Sequence, residues 1–285
     1  MTETIYILLP VHNRQDITRR FIECLEKQTV RNYHLVLIDD GSTDGTEEMV
    51  RGRIKPLTVL KGKGDWWWAG SLQQGYKWLK SQKTPLEHIV LIGNDDTEFE
   101  GNFLETALNI LSGQRNMLLM AQCYGRRSKQ LIDAGVHADW RRLTFDQAVS
   151  TDQINCLTTR CLFLKVGDFF DIGEFYPKLL PQYASDYEFT IRAHRKGKKL
   201  ITDSALRLFV DERATGFHQL DMDAPFSLFF KQLFSRKSIP NPFVWTIFIL
   251  MACPWQWKVL NLFRIWKNIL IHILVYGKKR VKQHL

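Results

Sequence analysis

Leu91 to Phe99 reads LIGNDDTEF, the end of an apolar run that begins at His88 and stops at Asn94, Asp95 and Asp96. Such a run, bounded by polar residues, predicts a strand over His88 to Ile92 buried on both faces of a parallel sheet. Ligands of such sheets sit in the crevice beyond the strands' carboxyl ends, where these three residues fall. Adjacent carboxylates repel one another and favour a hard cation, whose natural company in an α/β crevice is a diphosphate. The triplet also suits plain helix capping, since Asp and Asn often follow a strand to cap the next helix.

The flanking sequence repeats the pattern. Ile5 to Leu9 is a short apolar run ended by Pro10, and Arg14 to Lys27 carries Ile17, Phe21, Cys24 and Leu25 at helical spacing. His34 to Ile38 predicts a second strand, stopping at Asp39, Asp40 and a turn-rich run to Gly45 before a helix over Thr46 to Arg51. Leu57 to Leu60 supplies a third strand, with the next helix beginning near Ser71. Strands alternating with helices predict an α/β, doubly wound, mostly parallel sheet flanked by helices. Further on, Asn102 to Leu111 reads as a helix, and Met117 to Cys123, Cys161 to Val166, Lys199 to Asp203 and Leu206 to Val210 as strands. Gly125 to Ser150 is polar and without a clear period; its pairs Arg126, Arg127 and Arg141, Arg142 suit either a phosphate-bearing acceptor or solvent.

Charge is unevenly distributed. Of the formal net charge of +9, ten basic residues against Asp221 and Asp223 put +8 beyond residue 220. One basic segment on a nearly neutral chain argues against a nucleic-acid-binding protein. The five cysteines are odd in number and lack paired CxxC spacing, so neither a disulfide framework nor a zinc site is expected. The start, MTETIYILLPVHNR, has no basic leader, which predicts a cytoplasmic protein.

The order LLPVHNR, VLIDDGSTDGT, GDWWWAGS and GNDDTEF resembles the bacterial family 2 glycosyltransferases of GT-A fold, rhamnosyltransferase-like members of surface polysaccharide (O-antigen or capsule) assembly included. The resemblance covers roughly Ile5 to His218. It implies that Pro10, His12, Asn13 and Arg14 line the nucleotide pocket, with His12 where the family has an aromatic and so able to stack on the base; a turn histidine without a role is the alternative. It also implies that Asp39 or Asp40 accepts a hydrogen bond from the base; a carboxylate is acceptor-only and so favours a base offering N–H, such as uracil or thymine. Three consecutive large aromatics, Trp66, Trp67 and Trp68, cannot all face one core, because successive side chains diverge. At least one is expected to face a ligand, since indole faces pack on sugar rings and glycines permit close approach, and the resemblance implies that Trp66, Trp67 and Gly70 stand at the donor; a hydrophobic lid over the sheet is the alternative.

By the same resemblance the triplet is a DxD-like motif with Asn94 in place of the first Asp. Asp96 is the expected ligand of Mg²⁺ or Mn²⁺, with Asn94 or Asp95 on ribose or metal and His218 as a further metal ligand or a structural histidine. LLPQYASDYEFTIRAHRKGKKL, Leu179 to Leu200, predicts a helix closed by Gly197 and resembles the family's EDxDLxxR helix. Ser185 replaces its first acid, Glu188 its second Asp, and Arg192 matches its Arg. Asp186 matches the catalytic base; an N-cap Asp beside a Glu188–Arg192 pair at i, i+4 is the bland reading.

Domains are therefore expected at 1–220 (catalytic, with 1–100 binding the nucleotide-sugar and 101–220 the acceptor) and 221–285 (basic, helical). Phe243 to Cys253 is too short to span ~30 Å of hydrocarbon. From Lys258 to Tyr276, Lys258, Asn261, Arg264, Asn268 and His272 form one polar stripe on an otherwise apolar, Trp-bearing helix, suited to a membrane interface. The alternative is packing on the catalytic domain or in a homo-oligomer. The expectation is an inverting, metal-dependent glycosyltransferase at the inner face of the cell membrane, taking a UDP- or dTDP-sugar to a lipid-linked saccharide. The rivals are a non-catalytic nucleotide-sugar-binding scaffold and a nucleotidyltransferase, whose Gly-rich phosphate loop LLPVHNR lacks.

Overall fold

A computed structural model describes residues 3–212, 224–235 and 241–283, with side chains as far as residue 278. In chain order the elements are β1 (Ile5–Val11), α1 (Gln15–Glu26), β2 (Tyr33–Asp39), α2 (Thr46–Arg51), β3 (Leu57–Lys61), α3 (Trp67–Ser81), β4 (Ile89–Ile92) and β5 (Thr97–Phe99). There follow α4 (Phe103–Leu111), β6 (Met117–Gly125), β7 (Leu131–Asp133), β8 (Val136–Asp139), β9 (Thr144–Gln147), β10 (Leu162–Lys165), α5 (Val166–Ile172), α6 (Ser185–Arg195) and β11 (Lys199–Val210). The chain ends in α7 (Phe226–Leu233), α8 (Pro242–Ala252) and α9 (Trp255–Gln283).

The main sheet runs β3-β2-β1-β4-β10-β6-β11-β5, with β7 added on β6. Only β10, β7 and β5 oppose the direction of the rest, so the sheet is mostly parallel, as the sequence pattern implied. The apolar runs are continuous because both faces are covered. Alternate residues Ile7, Leu9, Leu35, Leu37 and Leu91 meet Phe21, Ile22 and Leu25 of α1 and Phe103 and Leu104 of α4. Their neighbours Leu8, Val36, Ile38, Val90 and Ile92 meet Leu72, Tyr76 and Leu79 of α3 and Phe169 of α5. A Cβ on Gly75 would stand 3.0 Å from methyls of Leu8 and Ile38, so α3 lies close enough to the sheet to need that glycine.

The structure departs from the sequence reading in several places. The third helix starts at Trp67, not near Ser71, because the amides of Trp66 and Trp67 are already satisfied by a remote carboxylate, described below. The two strands expected over Lys199 to Val210 are one, with a register shift between Asp203 and Arg207. Gly125 to Ser150 contributes β7 and the β8–β9 hairpin, strands of three or four residues of which only β8 buries alternate positions, Val136 and Ala138, too short a run to carry a visible period.

In the tail, α8 packs Val244, Phe248 and Ile249 against Val136, Leu180 and Ile191 of the preceding α/β fold. The polar stripe of α9 turns partly inward: the Asn261 amide donates to the Trp140 carbonyl at 2.8 Å, and Arg264 donates to the Arg141 carbonyl. Trp255, Val259, Phe263, Trp266, Leu270 and Leu274, spaced by three or four residues, are exposed instead.

Candidate active site

The strand order reverses between β1 and β4, and the site grows from the carboxyl ends of β1, β2 and β4 at that switch point. β4 ends its pairing at Leu8↔Ile92, leaving Pro10 bordered by β2 alone, where its missing N–H costs no ladder bond. Asn13, at φ 50°, stitches this loop to the next: its side-chain oxygen accepts from the Thr43 amide at 2.8 Å, and its own amide donates to Ser42 Oγ at 3.0 Å. His12 Nδ1 lies 2.7 Å from the Asp40 carbonyl. A carbonyl can only accept, so Nδ1 carries the proton and the exposed ring is held at the rim of the crevice.

Asp39 and Asp40 are both buried and do different work. Asp40 Oδ1 accepts from the Gly64 amide at 2.8 Å, while Oδ2 accepts from the amides of Trp66 at 2.8 Å and Trp67 at 3.1 Å. One carboxylate thus caps α3 from outside and fixes the tryptophan loop. Asp39 makes a single amide contact, from Ser42 to Oδ1 at 2.7 Å.

Trp66 and Trp68 pack on the apolar cluster beneath α3; Trp67 is outside that cluster and sits at φ 57°, a strained conformation for a bulky side chain. Trp68 Nε1 donates to Thr159 Oγ1 at 3.2 Å, and its amide to Gln182 Oε1 at 3.2 Å, tying the loop to the approach of α6. Gly70, expected to let backbone approach a ligand, is a packing glycine: a Cβ there would meet Trp66 at 3.2 Å and Pro177 at 3.6 Å.

After β4 the side chains alternate. Asp95 points into the protein, accepting from Thr18 Oγ1 at 3.1 Å and pairing with Arg14 at 3.1 Å. Burial pushes its pKa up to about 6, against the pull of Arg14. This inward position separates it from the ligand role open to it by sequence. Arg14 also reaches Asp96 Oδ2 at 3.3 Å, so it braces the acids. Asn94 Oδ1 and Asp96 Oδ1 are buried and accept no hydrogen bond. Two unpartnered oxygen acceptors on one turn fit a hard divalent cation, and Mg²⁺ or Mn²⁺ held by one or two protein oxygens typically takes phosphate oxygens for the rest. Among the described residues no group of three His, Cys, Asp or Glu side chains forms a complete protein cage. His218 lies outside the described residues.

The opposite wall is the start of α6. Its entry residue Ala184 is left-handed at φ 62°, and Thr190 anchors the helix by donating to the Leu157 carbonyl at 2.8 Å and accepting from the Leu157 amide at 3.0 Å. Asp186 therefore faces the segment that ends at Arg160. Burial, with a smaller contribution from Asp133, raises the Asp186 pKa to about 6, while the Tyr187 amide and Arg160 pull it down. Glu188 and Arg192 form the i, i+4 pair at 2.9 Å. Arg192 further donates to the carbonyls of Ile172 and Glu174, so it latches α6 to the loop after α5.

Two residues of this wall were not singled out by sequence, Asp133 and Arg160. Asp133 is held by the Gly135 amide at 3.0 Å and Thr158 Oγ1 at 2.9 Å. Arg160 interacts electrostatically with Asp96, Asp133 and Asp186. The available signal was a lone arginine inside the apolar approach to β10. Of the basic pairs noted in sequence, Arg126 binds Glu98 at 2.8 Å on the surface.

The description "Glycosyl transferase family 2" matches residues 6–164. Over 112 residues the chain is 30% identical to Glycosyltransferase GlyG of Streptococcus pneumoniae serotype 4, an alignment covering 37% of this chain and only 34% of that protein. The fold is similar to GalNAc-T7 crystallised with UDP, GalNAc and Mn²⁺ (TM-score 0.60, 16% identity, 75% of this chain and 44% of that one). It is similar to TarS of S. aureus (TM-score 0.59, 17% identity, 89% and 50%). It is also similar to the mannosyltransferase PcManGT of Pyrobaculum calidifontis in complex with GDP-Man and Mn²⁺ (TM-score 0.58, 15% identity, 99% and 88%).

Proposed function

The chain belongs to glycosyl transferase family 2, and from that premise we propose an inverting, metal-dependent enzyme that moves one sugar from a UDP- or dTDP-sugar to a hydroxyl of a lipid-linked saccharide. The observation that carries this reading is the pairing across one crevice of a carboxyl with raised proton affinity, Asp186, and a turn with two unpartnered buried oxygens, Asn94 and Asp96. Solved structures of this fold with UDP and Mn²⁺ or GDP-Man and Mn²⁺ support a nucleotide-sugar donor and a divalent cation.

Each residue then has a task. Asp39, with one amide contact against the three held by Asp40, is the carboxylate left to accept from a base N–H, and His12 stacks on the base. Trp67 packs on the sugar. Asn94 and Asp96 would hold the cation, which when bound would supply positive charge beside the departing nucleoside diphosphate. Asp186 takes the proton from the acceptor hydroxyl as its oxygen attacks the anomeric carbon from the face opposite the diphosphate. A carboxyl near pKa 6 is mostly ionised at neutral pH yet more basic than a solvated Asp, which suits that step.

The exposed stripe of α9 supports docking on a membrane surface, where the lipid-linked acceptor is presented. Trp255–Lys278 is long and apolar enough to cross a bilayer by length and composition, with mean hydropathy 1.3. The packing of α8 on the main fold, and the contacts of Asn261 and Arg264 that tie α9 to it, support an α9 that lies along the interface rather than crossing it.

The test is a thermal-shift titration of the full chain with UDP, dTDP, GDP and CMP, each with and without Mn²⁺, followed by transfer assays in the responding nucleotide series. Metal-dependent stabilisation by UDP or dTDP is the expected result. No shift with any nucleotide would refute the donor-site assignment.

A further inference from the structure

Four buried side-chain polar atoms among the described residues have no hydrogen-bond partner, and three of them are Asn94 Oδ1, Asp96 Oδ1 and Arg160 Nε. They lie together. β10 pairs antiparallel with β4 through Leu162↔Ile92, the Asn94 backbone hydrogen-bonds the thiol of Cys161 next to Arg160, and the charge of Asp96 acts on Arg160 itself. Two are acceptors that ask for a cation and one is a donor that asks for an anion. That combination matches a cation bound to an anionic oxygen ligand.

Arg160 is otherwise poorly occupied for a guanidinium with five N–H groups. Its one hydrogen bond goes from Nη1 to Cys123 Sγ at 3.4 Å, and sulfur is a weak acceptor. Asp96 and Asp133 act on it electrostatically, less than Cys123 does, and it acts in turn on Asp186, yet among the described residues none of the three acids comes within ion-pair distance of it. A buried arginine serving only as structural ballast would be expected to close on one of these acids. The two residues before it are committed to fixing the site: Thr158 holds Asp133 and Thr159 accepts from Trp68. Cys161, immediately after it, is at φ 48°, and its carbonyl accepts from the Ala121 amide, so the backbone that presents Arg160 is fixed on both sides.

We propose that Arg160 is a substrate-binding residue whose guanidinium takes a diphosphate oxygen of the donor, beside the cation held at Asn94 and Asp96. This rests on the donor-site reading above. It assigns the leaving group two positive partners approaching from different strands, and it lets Arg160 stabilise the charge as the bond to the sugar breaks.

The experiment measures binding of UDP, UMP and uridine (or the thymidine series, whichever the unaltered chain takes) to the full chain, to Arg160→Met and to Arg160→Lys, with Mn²⁺ throughout. Unfolding profiles establish that each variant is folded. In Arg160→Met the affinity for the diphosphate should fall roughly 10- to 100-fold, while uridine affinity is unchanged and UMP loses less. Arg160→Lys should restore part of the diphosphate affinity. Equal losses for diphosphate and nucleoside would overturn the proposal, since a merely structural arginine would disturb both alike. Unchanged diphosphate affinity in a folded Arg160→Met would also overturn it. If the unaltered chain binds no nucleotide, the donor-site reading fails and this inference with it, an outcome seen before any variant is made.

Discussion

Asp39 and Asp40 are adjacent, equally buried and chemically identical, yet they should respond to substitution in opposite ways. Asp40 accepts three backbone N–H groups, from Gly64, Trp66 and Trp67, at 2.8 to 3.1 Å. In Asp40→Asn one oxygen becomes an NH₂ that faces donors, so at least one amide loses its acceptor. Hydrogen bonds to a charged group are each worth about 1.5–3 kcal/mol and a buried unpaired donor adds a desolvation cost, so the loss should be about 3 kcal/mol of stability. The tryptophan loop should loosen with it, seen as a red-shifted tryptophan emission and weaker donor binding. Asp39→Asn loses far less of its framework, because the Ser42 amide can still be accepted by an amide oxygen; stability should change by under about 1 kcal/mol. Its effect should fall on nucleotide choice, with UDP or dTDP binding reduced about tenfold or more. Urea denaturation and nucleotide titration of both variants check the division. If Asp40→Asn were as stable as the parent, or if Asp39→Asn bound nucleotide normally, the assignment of clamp to one and reader to the other would be wrong.

Asp186→Asn should keep donor binding and lose transfer by about 10²- to 10⁴-fold, measured as kcat with the responding donor. Because the native carboxyl holds its proton up to about pH 6 whereas an unfolded Asp releases it near 3.8, the native state binds more protons in that window. Asp186 therefore costs stability as pH rises from about 4 to 6, by up to about 2–3 kcal/mol, so Asp186→Asn should be more stable than the parent at pH 8 and no more stable at pH 4. Gly62→Ala would put a Cβ 2.4 Å from Asp40 Oδ1 and 2.9 Å from the Trp66 ring, and should cost about 1–3 kcal/mol in urea unfolding and weaken donor binding. Val259→Glu with Phe263→Glu, on the exposed stripe of α9, should leave stability and donor binding unchanged but abolish flotation with anionic vesicles; persistent flotation would refute docking through this face.

Much of the first hundred residues could be read from the sequence because the strands there are buried on both faces, so each is a continuous apolar run with a polar stop. The polar stops are the site: Asp39 and Asp40 after β2, and Asn94 to Asp96 after β4. The sequence could not separate Asp39 from Asp40, because what distinguishes them is a loop returning from β3, with Gly62 pressed against Asp40 and the amides of Gly64, Trp66 and Trp67 converging on it. Nor could it say that the polar stripe of α9 would turn inward. Asn261 and Arg264 find their acceptors in Trp140 and Arg141, at the turn of a hairpin whose four-residue strands are too short to show a period.

The wall opposite β4 was harder to see for a related reason. Asp133, Arg160 and Asp186 come from β7, from the approach to β10 and from the first turn of α6, and no helical or strand period links them. What brings them together is a set of hydrogen bonds between neighbours in space: Thr158 to Asp133, Thr159 to Trp68, and Thr190 to both the amide and the carbonyl of Leu157. Each of those threonines reads in sequence as an ordinary polar residue. Together they make 154–160 the strut between the tryptophan loop and α6, and the same segment carries Arg160. Conversely, Thr190 contacts neither wall of the crevice with a charged group, yet Thr190→Val should move Asp186 relative to Arg160. It would leave the Leu157 amide and carbonyl unpaired at a cost of about 1–3 kcal/mol. A drop in kcat larger than the loss of donor affinity would identify that strut as the link between the two halves of the site, and equal losses in both would show that it only supports the fold.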